Sequence, residues 1–195
     1  VTPFRLVTRA IQPGDEAAFP DPAEPLARRR ASGAARLAAR EALAALGGPA
    51  DAALGRASRG FPLWPAGFLG SLAHDEGLAV AAVARAGAVA ALGVDVEPDA
   101  PLPEDVADIA LFGAERRGPG RAIFAAKEAV YKAINPRDGT ALEYEDIAVD
   151  LVAGEARLRD GRRLRLVAER RLGAQAPAPD RLFSGARWIV AAFIP

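Results

Sequence analysis

The chain has 195 residues, 51% of them hydrophobic, with 25 basic and 25 acidic side chains and a formal net charge of zero. That is enough apolar material for one domain or for two small lobes sharing a core, and the balanced charge excludes a global basic field of the kind that draws nucleic acid. There is no cysteine, which excludes a disulfide framework, a thiolate metal site and a cysteine nucleophile and fits a reducing, cytoplasmic setting.

In chain order, Phe4 to Ile11 reads as a short strand. Residues Val1 to Ala18 include Arg5, Arg9, Asp15 and Glu16 without a continuous apolar run, which does not fit a signal peptide. After the stiff Pro20, Pro22 and Pro25 loop, an Ala-, Leu- and Arg-rich stretch from Ala23 to Leu46 predicts a helix, ended by Gly47-Gly48-Pro49. Arg29, Gly33, Arg36 and Arg40 follow helical spacing, so the arginines form either a solvated charged face or an anion-binding one. Arg59 to Gly70 reads as an irregular aromatic loop. Leu78 to Ala84 and Ala88 to Val96 predict a buried strand pair around a turn at Arg85-Ala86-Gly87. The arginine and glycine in this stretch, with Asp95 near its end, fit two short buried strands better than a membrane span. Ala122 to Ile134 predicts a helix with Ile123, Ala126, Val130 and Ile134 on its apolar face, broken at Asn135-Pro136. Strands follow at Ile147 to Val152, Ala156 to Arg159, Arg162 to Ala168 and Arg187 to Ile194, with a hairpin turn at Asp160-Gly161. Each half is thus a helix followed by strands. The expected fold is α+β: two pseudo-symmetric lobes, 1–97 and 98–195, each a helix on a small, mainly antiparallel sheet.

Two segments carry the candidate chemistry. Only two of the 25 basic residues are lysines, Lys127 and Lys132, five positions apart in Phe124-Ala125-Ala126-Lys127-Glu128-Ala129-Val130-Tyr131-Lys132. An ammonium is a compact point charge where guanidinium is a planar fork, so this pair is either chance placement on a solvated face or a site that arginine serves badly. In Gly93-Val94-Asp95-Val96-Glu97-Pro98, strand alternation sends Asp95 and Glu97 to the same side. They mark either the exposed end of a strand or a pair of oxygen ligands suited to Mg²⁺. Glu128 would add a third carboxylate, although Glu128 and Lys132 at this spacing also suit an ordinary helix salt bridge. His74 is the single histidine; a lone histidine is more often structural, and near an anion it can donate to a phosphate.

Three motifs in this order resemble those of the surfactin/enterobactin-synthetase-type 4′-phosphopantetheinyl transferases. They are Trp64-Pro65 through Gly70-Ser71-Leu72-Ala73-His74, Gly93-Val94-Asp95-Val96-Glu97, and Phe124 through Lys127-Glu128 to Lys132. The helix around Arg36 and Arg40 adds to the likeness, which spans roughly Arg28 to Asp150. The second and third motifs together are specific; either alone is weak.

The resemblance implies transfer of the phosphopantetheine arm of coenzyme A to a serine of an apo carrier protein, with release of 3′,5′-ADP and a need for Mg²⁺. It implies metal binding by Asp95, Glu97 and Glu128, with Glu128 also a candidate base. Lys127 and Lys132 would lie near the pyrophosphate. Arg36, Arg59 and His74 would bind coenzyme A in a cleft between the lobes. It further implies a cytoplasmic monomer active on carriers of siderophore or secondary-metabolite pathways, with neither nucleic acid nor membrane as partner. Two positions depart from the family pattern. Ala73 stands where a hydroxyl is common, and Asp75 puts an acid beside the expected 3′-phosphate. They leave a non-catalytic coenzyme A- or carrier-binding homologue as the alternative.

Overall fold

The computed structural model describes residues 2–58, 60–171 and 185–195. Four layers stack in the order helix, sheet, sheet, helix. The first sheet holds β1 (Arg5–Ala10), β2 (Phe68–His74) and β3 (Leu78–Arg85) in the order β1-β3-β2. The second holds β4 (Ala91–Pro98), β5 (Ile147–Asp150), β6 (Glu155–Leu158), β7 (Arg163–Arg171) and β8 (Arg187–Ile194) in the order β4-β8-β7-β6-β5, and all pairings are antiparallel. Helix α1 (Leu26–Ala45) covers the first sheet and α3 (Gly120–Asp138) the second; α2 (Glu104–Ala110) is a short connector. The expected α+β architecture is therefore present, with a helix on an antiparallel sheet in each half.

Alanine explains the close helix–sheet approach. Ala34, Ala35, Ala38, Ala39, Ala42 and Leu43 recur on one face of α1, fully buried, and alanine combines high helix propensity with little bulk. Its C-terminus carries a Schellman motif: Gly48 N–H donates to Leu43 O (2.8 Å) and Gly47 N–H to Ala44 O (2.9 Å), with Gly47 at φ 73°. Between the sheets, Val80, Ala82 and Ala84 meet Val94, Val96, Ile189 and Ala191. Beyond them, Ala129, Val130 and Ala133 of α3 pack on Ala91, Val190 and Ala192.

Several expectations change. Residues 78–84 and 88–96 do not pair with each other: β3 lies between β1 and β2, while β4 pairs with β8. Both strands are buried on both faces, so stacking in separate sheets hides more apolar surface than a hairpin would. A division at residue 97 keeps β4 with the first lobe by sequence, whereas its hydrogen bonds lie in the second sheet. β2 was hidden because Gly70, Ser71 and Ala73 give it no hydrophobic alternation. Trp64 closes over that strand: a Cβ at Gly70 would stand 2.7 Å from its ring. α3 continues past Pro136 to Asp138 and ends at Gly139, φ 75°.

Candidate active site

Alternation along β4 sends Ala91, Gly93, Asp95 and Glu97 toward α3, and Leu92, Val94 and Val96 toward the first sheet. Gly93 sets the distance between strand and helix. A Cβ there would lie 1.9 Å from Ala129 O, so only glycine lets the α3 backbone come this close. The two carboxylates of β4 thereby face Glu128 and Lys132, one helical turn apart on α3.

Asp95 is 6% exposed. Its Oδ1 accepts from Lys132 Nζ at 2.6 Å, while Oδ2 is buried with no hydrogen-bond partner among the described residues. Burial pushes the Asp95 carboxyl above the usual range, and the Glu128 charge adds to this against the pull of Lys132. Glu97 is also raised, by burial first and then by Asp95, against the opposing effect of Arg121, whose Nη1 donates to Glu97 Oε2 at 2.7 Å. Glu128 Oε1 accepts from the Tyr144 hydroxyl at 2.6 Å. Burial, then the bond to Glu128, then the charges of Glu128, Asp95 and Glu97 all raise the Tyr144 phenol. One hydroxyl thus feels all three carboxylates.

The expected metal set is not assembled in this conformation. Among the described residues no group of three or more His, Cys, Asp or Glu is arranged to hold a metal ion. Each carboxylate is instead held by its own donor: Asp95 by Lys132, Glu97 by Arg121 and Glu128 by Tyr144. The helix pair Glu128–Lys132 does not form, because Lys132 reaches across to Asp95.

Lys127 also departs from expectation. It is fully buried, pairs with Glu115 Oε2 at 2.8 Å, donates to Tyr144 O at 3.0 Å and lies 4.9 Å from the Phe112 ring centroid. Burial lowers its pKa and Glu115 opposes the fall. So placed, its ammonium is taken up by Glu115 and the Tyr144 main chain. Lys127→Met is expected to destabilise the protein by about 3–5 kcal/mol because it strands Glu115. Lys127→Met/Glu115→Gln, which removes the stranded charge and keeps an amide oxygen for a backbone N–H, should regain part of that loss, as read by denaturant unfolding.

On the first lobe, His74 ends β2 with its side chain exposed. Partial burial against its neighbours and then the cations Lys132 and Arg28 lower its pKa. Asp75 is taken up locally: Oδ2 accepts from Arg187 Nε at 2.5 Å, and Oδ1 accepts from Gly77 N and Leu78 N at 2.8 and 2.7 Å. The acid beside His74 is therefore paired with an arginine of β8. Ser71 and Ala73 are buried on the opposite side of β2 from His74, Ala73 in the core between the sheets.

The α1 arginines are not a solvated stripe. Arg36 is buried; its Nε donates to Leu54 O (2.7 Å) and its Nη1 to Ser32 O (3.0 Å), and it lies 4.0 Å from the Phe19 ring centroid. Arg40 donates to Ala52 O at 3.0 Å. Both anchor the loop after α1. Burial, with Arg56 and Arg40 close by, brings the Arg36 guanidinium down to about 10. Arg59 lies outside the described residues.

Sequence reading missed four residues of this region: Arg121, Tyr144, Glu115 and Arg187. Arg121 lies seven residues before Glu128, on the same helical stripe, and that spacing is a usable signal. The other three reach their partners from separate loops and strands, which no local pattern encodes.

A family model described as the 4′-phosphopantetheinyl transferase N-terminal domain matches residues 16–84. Svp of Streptomyces mobaraensis and Npt of Nocardia iowensis, both named 4′-phosphopantetheinyl transferases, are each 42% identical over 61% of this chain, covering 54% and 57% of their own lengths. The chain is similar to proteins of the 4′-phosphopantetheinyl transferase superfamily. PptT of Mycobacterium tuberculosis is 40% identical over 57% of this chain and 53% of its own length. The chain spans about half the length of these curated relatives. The superfamily model takes in α1 through most of β3, and with them Arg36 and His74. Asp95, Glu97, Glu128 and Lys132 lie beyond it. No helix among the described residues is long and apolar enough to cross a membrane.

Proposed function

We propose that the protein moves the 4′-phosphopantetheine arm of coenzyme A onto a serine of an apo acyl or peptidyl carrier protein, releasing 3′,5′-ADP in a Mg²⁺-dependent reaction. The observation that carries this reading is the pair of buried Asp95 with half-buried Lys132, with Glu97 and Glu128 beside it. It occurs in a chain 40–42% identical to proteins named for this transfer. The serine Oγ attacks the phosphorus that bears the pantetheine arm. The bond from that phosphorus to the adenosine-side phosphate oxygen breaks, and 3′,5′-ADP leaves with the electron pair. The serine proton passes to Glu128, directly or through water. Lys132 carries the cation for the leaving phosphate. His74 and Arg36 supply the first-lobe side of the coenzyme A site, with Arg59 as a further contact. One chain then completes the site as a monomer, in the cleft between its lobes.

The acidic cluster supports a hard divalent cation. Asp95 Oδ2 is a buried carboxylate oxygen without a hydrogen-bond partner among the described residues, and the Asp95 charge raises the proton affinity of Glu97. Asp95, Glu97 and Glu128 offer only oxygen, which suits Mg²⁺. Once bound, the ion would neutralise pyrophosphate charge.

The binding-only alternative rested on Ala73 and Asp75. The Asp75–Arg187 pair removes the expected repulsion of a phosphate, and Ala73 packs in the core away from the His74 side. Both findings favour the transferase.

The deciding measurement is intact-protein mass spectrometry of a panel of apo carriers incubated with the protein, coenzyme A and Mg²⁺. One phosphopantetheine arm added to a carrier, and absent in chelator, is the expected result. Coenzyme A binding without modification of any carrier would overturn the reading.

A further inference from the structure

We propose that Tyr144 is the positioning residue for Glu128, and that Lys127 acts on the same carboxylate through it. The inference rests on the transferase reading above and assigns the second lysine a role in it.

Tyr144 is held at both ends. Its carbonyl oxygen accepts from the fully buried Lys127 at 3.0 Å, and its hydroxyl donates to Glu128 Oε1 at 2.6 Å. Its ring lies against Phe124, with centroids 5.7 Å apart and planes at 43°. Phe124 stands one helical turn before Glu128, so the ring packs on one turn of α3 and the hydroxyl reaches the next. The main-chain end is fixed by a polar hub under the site. Glu115 Oε2 takes Lys127 Nζ and Phe112 N–H (2.9 Å), and Glu115 Oε1 takes Val149 N–H of β5 (2.9 Å).

Two features separate this from ordinary packing. A buried ammonium is costly unless its hydrogen bonds are met, yet this one spends a donor on the main chain of Tyr144. The phenol hydroxyl, in turn, donates to the carboxylate and fixes one Glu128 oxygen from a ring already packed on Phe124. The two lysines then divide the acids between them. Lys132 holds Asp95 directly, and Lys127 holds Glu128 through Tyr144.

The test is Tyr144→Phe in the full chain, which keeps the ring and the carbonyl and deletes only the hydroxyl. Two readouts are needed: steady-state transfer kinetics, and Mn²⁺ affinity from the resonance of the free ion. The expected result is a kcat lowered about tenfold with the KM for coenzyme A within about twofold, and Mn²⁺ binding weakened about tenfold, at an unchanged melting temperature. A purely structural tyrosine would shift the melting temperature and leave the kcat-to-KM split untouched. Wild-type kcat and wild-type Mn²⁺ affinity in Tyr144→Phe would overturn the proposal. If the wild type modifies no carrier but binds Mn²⁺ more tightly than Tyr144→Phe, the positioning role stands and the transferase reading falls. Neither transfer nor Mn²⁺ binding by the wild type would overturn both.

Discussion

Asp95→Ala is expected to lower transfer on the order of a thousandfold or more while leaving the melting temperature unchanged or higher. The two effects share one cause. Asp95 is a buried carboxylate with one oxygen unpartnered among the described residues, and burial pushes its pKa up. A buried polar group without a hydrogen bond costs about 1–3 kcal/mol, so the fold does not need this charge. Its ion-pair partner, Lys132, is about a third exposed, and water can solvate the ammonium once the carboxylate is gone. A group that burdens the fold yet faces Lys132, Glu97 and Glu128 is what a site retained for chemistry looks like. Carrier modification by mass spectrometry, set beside thermal unfolding of the same preparation, reads both effects. Full activity in Asp95→Ala would remove the acid from the mechanism. Unfolding would make it a structural residue.

Gly93→Ala should be the most damaging single methyl in the second lobe. The added Cβ would lie 1.9 Å from Ala129 O and 2.6 Å from Ala133 N. Both atoms belong to the α3 backbone, which cannot turn aside as a side chain can. The helix must move away from β4, opening the packing of Ala129 and Ala133 against Ala91 and Ala192. Overpacking of this kind costs about 3 kcal/mol at the upper end of its usual range, which lowers the melting temperature by about 6–12 °C in a chain of this size. Transfer should fall with it, because the same shift separates Asp95 from Lys132 and Glu128. Gly185→Ala is the control: a Cβ there meets nothing within 4 Å among the described residues, and stability should not change. Equal stability of the two variants would mean that strand and helix are not locked at Gly93.

Much of this arrangement was legible from local pattern. Helical spacing located α1 and α3, and strand alternation put Asp95 and Glu97 on one side of β4. The scarcity of lysine singled out Lys127 and Lys132. Such features depend on residues close in sequence, where backbone geometry alone fixes which side chains share a face. Local pattern did not reveal β2, whose small residues show no periodicity. Nor did it separate β3 and β4 into different sheets, since two apolar runs flanking a turn are read as a hairpin unless the third partners are known. The two lysines show the same limit. Their spacing was evident, but their different fates were not: Lys132 reaches a strand 37 residues away, and Lys127 sinks onto Glu115.

The sequence by itself therefore determined the fold class, the likeness to 4′-phosphopantetheinyl transferases and the acidic and basic residues that could do chemistry. Only the tertiary structure decided which base holds which acid. It gave Asp95 to Lys132, Glu97 to Arg121, Glu128 to Tyr144 and Asp75 to Arg187. The physical reason is that these pairings are long-range. They follow from how closely α3 settles on β4 at Gly93 and how the two sheets stack. Packing of the whole core fixes those distances, and no short segment encodes them.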